Sequence, residues 1–156
     1  MLCTDRDIPR LNALFGHESI WPFIKDESAP ESLRYRVGEL YLSTPGTLVL
    51  SPIPESAFVY KLRNGITFEV HANVLKDSRE DALSAALSSV RWMFENTGCL
   101  KIVAYVATCF PNVCGFTKKC GFDEEGKMKK SVLRDGTLYD QIIFGLTKEE
   151  FNGRCC

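Results

Sequence analysis

The chain has 156 residues, 45% hydrophobic and 25% charged, with a formal net charge of −1. This is the profile of one globular domain with a real core, and it excludes a disordered or fibrous chain. Near-neutral charge gives no footprint for nucleic acid or an anionic membrane, and the longest apolar runs, such as residues 102–107, are far too short to span a bilayer.

The first residues, Met1-Leu2-Cys3-Thr4-Asp5-Arg6-Asp7, lack the charged-then-apolar pattern of a secretory signal, so a cytoplasmic location is expected. Residues 7–15 carry Ile8, Leu11, Leu14 and Phe15 at helical spacing, with Pro9 in the first turn. Residues 19–24 read as a second short helix or turn, and residues 26–31 as a polar linker. The pattern then switches to strands at residues 47–53 and 57–62, separated by Pro52 and Pro54. Asn64-Gly65 signals a tight hairpin into a third strand over residues 66–75.

A long helix follows from Ser78. Leu83, Leu87, Val90 and Phe94 recur as a buried stripe beside Ala86 and Met93, and Gly98 is expected to cap its end. The apolar run at residues 100–107 fits a strand covered on both faces. Pro111 opens a short helix with Val113, Phe116, Thr117 and Cys120 on one face, closed by Gly121. Strands at residues 127–134 and 138–146 are joined by the hairpin signal Asp135-Gly136. The whole is an α/β (α+β) fold, a mostly antiparallel sheet with a central strand–helix–strand unit and helices on both faces. Residues 1–46 form N-terminal helices and linker, residues 47–151 the sheet core, and residues 152–156 a short Cys-rich tail.

Seven cysteines show no C-x-x-C pair, and the two histidines, His17 and His71, lie far apart. No metal site is expected, and a reducing compartment suits the chain. Cys109, Cys114 and Cys120 read as small core hydrophobes, and Cys155-Cys156 as an exposed, oxidisable pair.

Chemistry concentrates where the third strand enters the long helix. A helix start offers backbone N–H groups and partial positive charge to a phosphate, and Val74, Arg79, Ala82, Leu83 and Ser84 sit there. The same segment, Ser78-Arg79-Glu80-Asp81, matches a capping box in which the helix satisfies its own amides. On a regular strand Glu69, His71 and Asn73 share one face. His71 is the better candidate base there, since an imidazole titrates near neutral pH.

Phe68-Glu69-Val70-His71-Ala72-Asn73-Val74-Leu75 followed by Arg79, then Cys120-Gly121-Phe122, then Val132-Leu133-Arg134-Asp135-Gly136-Thr137-Leu138-Tyr139-Asp140 together resemble the GCN5-related N-acetyltransferase (GNAT), or acyl-CoA N-acyltransferase, fold. The Glu-Val-His run, Asp7-Ile8-Pro9-Arg10-Leu11-Asn12 and His17-Glu18-Ser19-Ile20-Trp21-Pro22 are most similar to small members encoded by tailed bacteriophages. The resemblance covers roughly residues 47–151. It implies acetyl-CoA as cofactor, held by Val74, Arg79, Ala82, Leu83, Ser84 and Asn112, and acetyl transfer to a small-molecule or protein amine, with His71 or Glu69 as base and Tyr139 as a proton donor.

Two departures stand against that pattern. The family's Arg/Gln-x-x-Gly-x-Gly/Ala loop is Arg79-Glu80-Asp81-Ala82-Leu83-Ser84 here, without glycine and with two acids that would repel a diphosphate. Thr117 occupies the place, four residues before Gly121, where the family often has a tyrosine. The expected function is therefore an acetyl-CoA-dependent N-acetyltransferase-like protein with a degenerate cofactor loop. The alternative is a catalytically inactive acetyltransferase fold used as a phage structural or assembly protein, in the host cytoplasm or the virion, with phage structural proteins as partners.

Overall fold

A computed structural model describes residues 2–154, and Cys155 and Cys156 lie outside that range. Asp7 opens the first helix, α1 (Ile8–Gly16), its carboxylate accepting the Arg10 amide at 3.1 Å. α2 (Trp21–Ile24) and α3 (Val37–Ser43) complete the N-terminal layer. The sequence pattern does not mark the third of these, because Val37-Gly38 is a poor helix start and no side chain caps it. Packing forms it instead. Gly38 lies so close to α1 that a Cβ there would sit 2.6 Å from Leu11 Cβ and 2.9 Å from the Asn12 nitrogen.

Three antiparallel strands follow: β1 (Thr47–Leu50), β2 (Ser56–Leu62) and β3 (Thr67–Val74). The Asn64-Gly65 turn differs from expectation. Gly65 does not take a positive φ; the Asn64 side chain instead accepts the amides of Ile66 and Thr67, both at 3.0 Å. That local bond holds Ile66 outside the strand.

α4 (Ala82–Asn96) crosses to β4 (Lys101–Ala107), and α5 (Pro111–Lys119) follows. The long helix does not start at Ser78: residues Lys76–Asp81 form a 3-10 turn, and Ser78 leaves helical angles altogether. The capping box is therefore not made, and no side chain caps α4 at Asp81. Its buried stripe is Ala82, Ala85, Ala86, Ser89, Val90, Met93 and Phe94, whereas Leu83 is 37% exposed. Thr97, not Gly98, ends it in an extended conformation. On β4 the buried residues Ile102, Ala104 and Val106 alternate with half-buried neighbours, so one face is covered more fully than the other. Val113, expected on the inner face of α5, is exposed, while Thr117 and Cys120 are buried. Gly121, with φ +95°, closes that helix.

β5 (Asp123–Arg134) and β6 (Thr137–Thr147) make the closing hairpin, turned as expected by Asp135 and Gly136, both at positive φ. β5 starts four residues earlier than its apolar pattern indicates, since the Asp-Glu-Glu run at its start pairs through β6 with a bulge. α6 (Lys148–Arg154) ends the described chain, and Arg154 binds the Gly121 carbonyl and Asp123. The sheet order is β1-β2-β3-β4-β6-β5. One core packs Phe58, Tyr60, Phe94, Ile102 and Phe144 under α4; a second packs Leu11, Phe15, Val49 and Val59 under the N-terminal helices. This is the mixed sheet with helices on both faces that the sequence predicts.

Candidate active site

β3 and β4 run parallel, but their ladder has only three rungs, Thr67↔Lys101, Phe68↔Ile102 and Glu69↔Val103. Beyond Glu69 the strands separate, while β4 stays paired to β6 as far as Ala107↔Gln141. The parting leaves two facing strand edges whose backbone groups need a partner from solvent or a ligand. It opens a cleft of about 690 Å³, within the range of small-molecule sites.

Of the sequence-predicted residues, His71, Val74, Arg79 and Asn112 line this cleft. Val74 ends one edge, Arg79 stands in the 3-10 turn before α4, and Asn112 lies in the first turn of α5. Glu69, Tyr139, Ala82, Leu83 and Ser84 are not among the lining residues. Ala82 is buried at the start of α4 beside exposed Leu83 and Ser84, and Tyr139 faces Val132 across the hairpin. Glu80 and Asp81, whose charge argues against a diphosphate, are exposed and stand outside the lining.

Glu69 lies behind His71. Its carboxylate contacts His71 Nε2 at 3.2 Å and Arg63 at 3.2 Å, and the imidazole, followed by the nearby cations, holds it below the usual carboxylate range. His71 Nε2 is shut away from solvent without a well-angled hydrogen bond, which leaves Nδ1 as the accessible nitrogen. Asn73 is not free to act: its amide donates to the Ala57 and His71 carbonyls.

Two hydroxyls in the wall are committed. Thr117 Oγ1 donates to the Val113 carbonyl at 2.8 Å. The Tyr60 hydroxyl meets Ser89 Oγ at 2.7 Å, and complete burial raises its pKa above the tyrosine range. Cys109 and Cys120 also line the cleft as free thiols, and burial pushes Cys120 up to about 11. Cys114 is half-buried against the core and does not line the cleft, so only Cys109 and Cys120 of the three face it.

The sequence reading missed the third wall. Phe23 of α2 meets Phe110 edge-on at 5.7 Å, and Arg134 stacks over Phe110 at 5.3 Å while donating to the Pro22 and Phe23 carbonyls at 2.8 and 2.6 Å. Tyr41 of α3 lies under the Lys61 ammonium at 5.1 Å. Lys61 was legible in principle, since pairing β2 with β3 sets it opposite Glu69; Tyr41 lay in the unrecognised helix.

The fold is shared along the full chain with solved acetyltransferases. Mutant forms of the spermidine/spermine N-acetyltransferase SpeG from Vibrio cholerae match with a TM-score of 0.78 and 16% identity, over 100% of this chain and 98% of theirs. A chimera of spermidine N-acetyltransferase SpeG from V. cholerae and hSSAT matches with a TM-score of 0.77 and 13% identity, over 99% of both chains. The fold is that of the GCN5-related N-acetyltransferases. A putative acetyltransferase shares the GNAT fold with a TM-score of 0.74 and 16% identity, over 97% of this chain and 84% of that one. In sequence, the SPbeta prophage-derived uncharacterized N-acetyltransferase YokL of Bacillus subtilis (strain 168) is 47% identical over 34 residues, which span 22% of this chain and 19% of that protein. No family model matches the chain. No helix among the described residues is long and apolar enough to cross a membrane.

Proposed function

We propose that the chain is an acetyl-CoA-dependent N-acetyltransferase acting on an amine. The observation that carries this reading is the charge of the cleft. Lys61, Arg79 and Arg134 line it, and no aspartate or glutamate among the described residues does. A ligand with several phosphates meets a favourable potential there, and the acids of the cofactor loop stay outside. Arg79, in the turn that leads into α4, would hold the diphosphate by charge. The unpaired edges of β3 and β4 would hold an extended amide-bearing arm, as an added strand is held. Bound there, acetyl-CoA supplies an activated thioester carbonyl.

The remaining work falls to the chain. His71 Nδ1 accepts a proton from the amine, and ionised Glu69 behind it fixes the ring. Thr117, bonded within its own helix, does not supply a proton outward, and Tyr60 is sealed. Positioning of the amine therefore carries much of the rate. A thermal-shift titration with acetyl-CoA tests the reading: a ligand at about 100 times its Kd stabilises by about 2.7 kcal/mol, and Arg79→Glu should weaken the response. No response at millimolar acetyl-CoA would sink the transferase reading and favour a catalytically silent scaffold.

A further inference from the structure

The cations of the cleft divide by location. Arg79 stands at the α4 end. Lys61 and Arg134 belong to the opposite side, the first against Tyr41 of α3 and the second against the carbonyls of α2. A diphosphate at α4 does not account for these two. Arg134 donates from both terminal nitrogens to the Pro22 and Phe23 carbonyls, which ties its guanidinium to α2. Lys61 differs. Its ammonium sits over an aromatic face, and no carboxylate among the described residues pairs with it within 4.0 Å. Glu69, opposite it in the strand register, is engaged by Arg63 and His71.

Register sets the distance from Lys61 to the proposed base. Lys61 is opposite Glu69 and Val59 is opposite His71, so Lys61 and His71 are diagonal neighbours on one face. Such neighbours are about 7–8 Å apart. A compact molecule with an amine at one end and an anion two to four bonds away spans that gap once both side chains lean in. A polyamine does not match these walls: its second ammonium would meet Lys61 or Arg134, and among the described residues no carboxylate lines the cleft while Glu69 is held by Arg63 and His71. The spermidine acetyltransferases that share the fold are therefore poor guides to this acceptor.

We propose that the acceptor is a compact amine bearing a carboxylate or phosphate, with its anion on Lys61 and its amine at His71. The assignment deepens the transferase reading and rests on it. Matched probes test it by calorimetry and by acetyl-CoA-dependent thiol release: O-phosphoethanolamine against ethanolamine, L-phenylalanine against 2-phenylethylamine, and spermidine as the polycation. The anionic member of at least one pair should be preferred by about tenfold, the size of one charge-assisted contact, with spermidine weakest. Which pair responds distinguishes phosphate from carboxylate. Lys61→Met should erase the preference and Lys61→Arg should keep most of it. The wild-type comparison decides even if Lys61→Met fails to fold. Equal binding within both pairs, preference for spermidine, or no binding of any probe overturns the proposal. Acetyl-CoA stabilisation is read separately, so a protein that binds the cofactor but shows no anion preference refutes the acceptor class alone.

Discussion

The pair Tyr60 and Ser89 offers a sharp test of how the cleft floor is held. Both residues are fully buried. Ser89 Oγ donates to the Ala86 carbonyl at 2.9 Å, so at 2.7 Å it accepts from the Tyr60 hydroxyl. The two deletions are then unequal. Tyr60→Phe removes one donor and leaves Ser89 bonded to Ala86, for a loss of about 0.5–1.5 kcal/mol. Ser89→Ala strands a phenol hydroxyl with no water to reach it, for about 1–3 kcal/mol. The double variant should resemble Tyr60→Phe alone, giving a coupling as large as the Ser89→Ala loss itself, about 1–3 kcal/mol. Urea and thermal unfolding of the three variants measure these terms, at about 2–4 °C of Tm per kcal/mol for a chain of this size. If Ser89→Ala is as mild as Tyr60→Phe, or if the two losses add, the bond does not hold the floor as described. The same variants bear on chemistry, because a sealed phenol cannot donate to a reacting group. Tyr60→Phe should turn over like the wild type, and a large fall in kcat would make Tyr60 the acid that Thr117 is not.

Replacing His71 by alanine should lower kcat about 10²-fold or more, the usual range for a positioned base; an unchanged kcat removes His71 from the mechanism. Glu69 is more acidic folded than unfolded, so its ionised form stabilises the protein above the ordinary carboxylate pKa of about 4.3. That stabilisation is lost as pH falls through the lower folded value, and Glu69→Gln should flatten the acid side of a stability-against-pH curve. Gly38→Ala should cost about 1–3 kcal/mol by overpacking, since the Asn12 backbone cannot give way as a side chain end would; a neutral melting temperature would show that α1 and α3 are not locked at this point.

Much of the fold was legible because its strongest signals are local. Asp7 and Pro9 mark α1, the apolar spacing through Phe94 marks α4, and Asp135-Gly136 sets the last hairpin. What failed was decided by competition between neighbours. Asn64 satisfied two amides itself and displaced the expected glycine turn, and the 3-10 turn at Lys76–Asp81 moved the helix start past Ser78. The site was half legible for the same reason. Strand periodicity puts Glu69 and His71 on one face, and they touch. The wall built by Phe23, Tyr41, Phe110 and Arg134 comes from segments far apart in sequence, and no local pattern brings them together.

The three-rung ladder between β3 and β4 makes the sheet two leaves of three strands, joined like a book at a narrow spine. The middle rung is Phe68 facing Ile102, both buried in the core under α4. The angle at which the book stands open is therefore fixed by side-chain volume at the spine, on the opposite face of the sheet from His71 and Lys61. Trimming Phe68 should change the aperture for every ligand at once, so breadth of substrate use in this molecule is as much a property of its core as of the residues that touch the substrate.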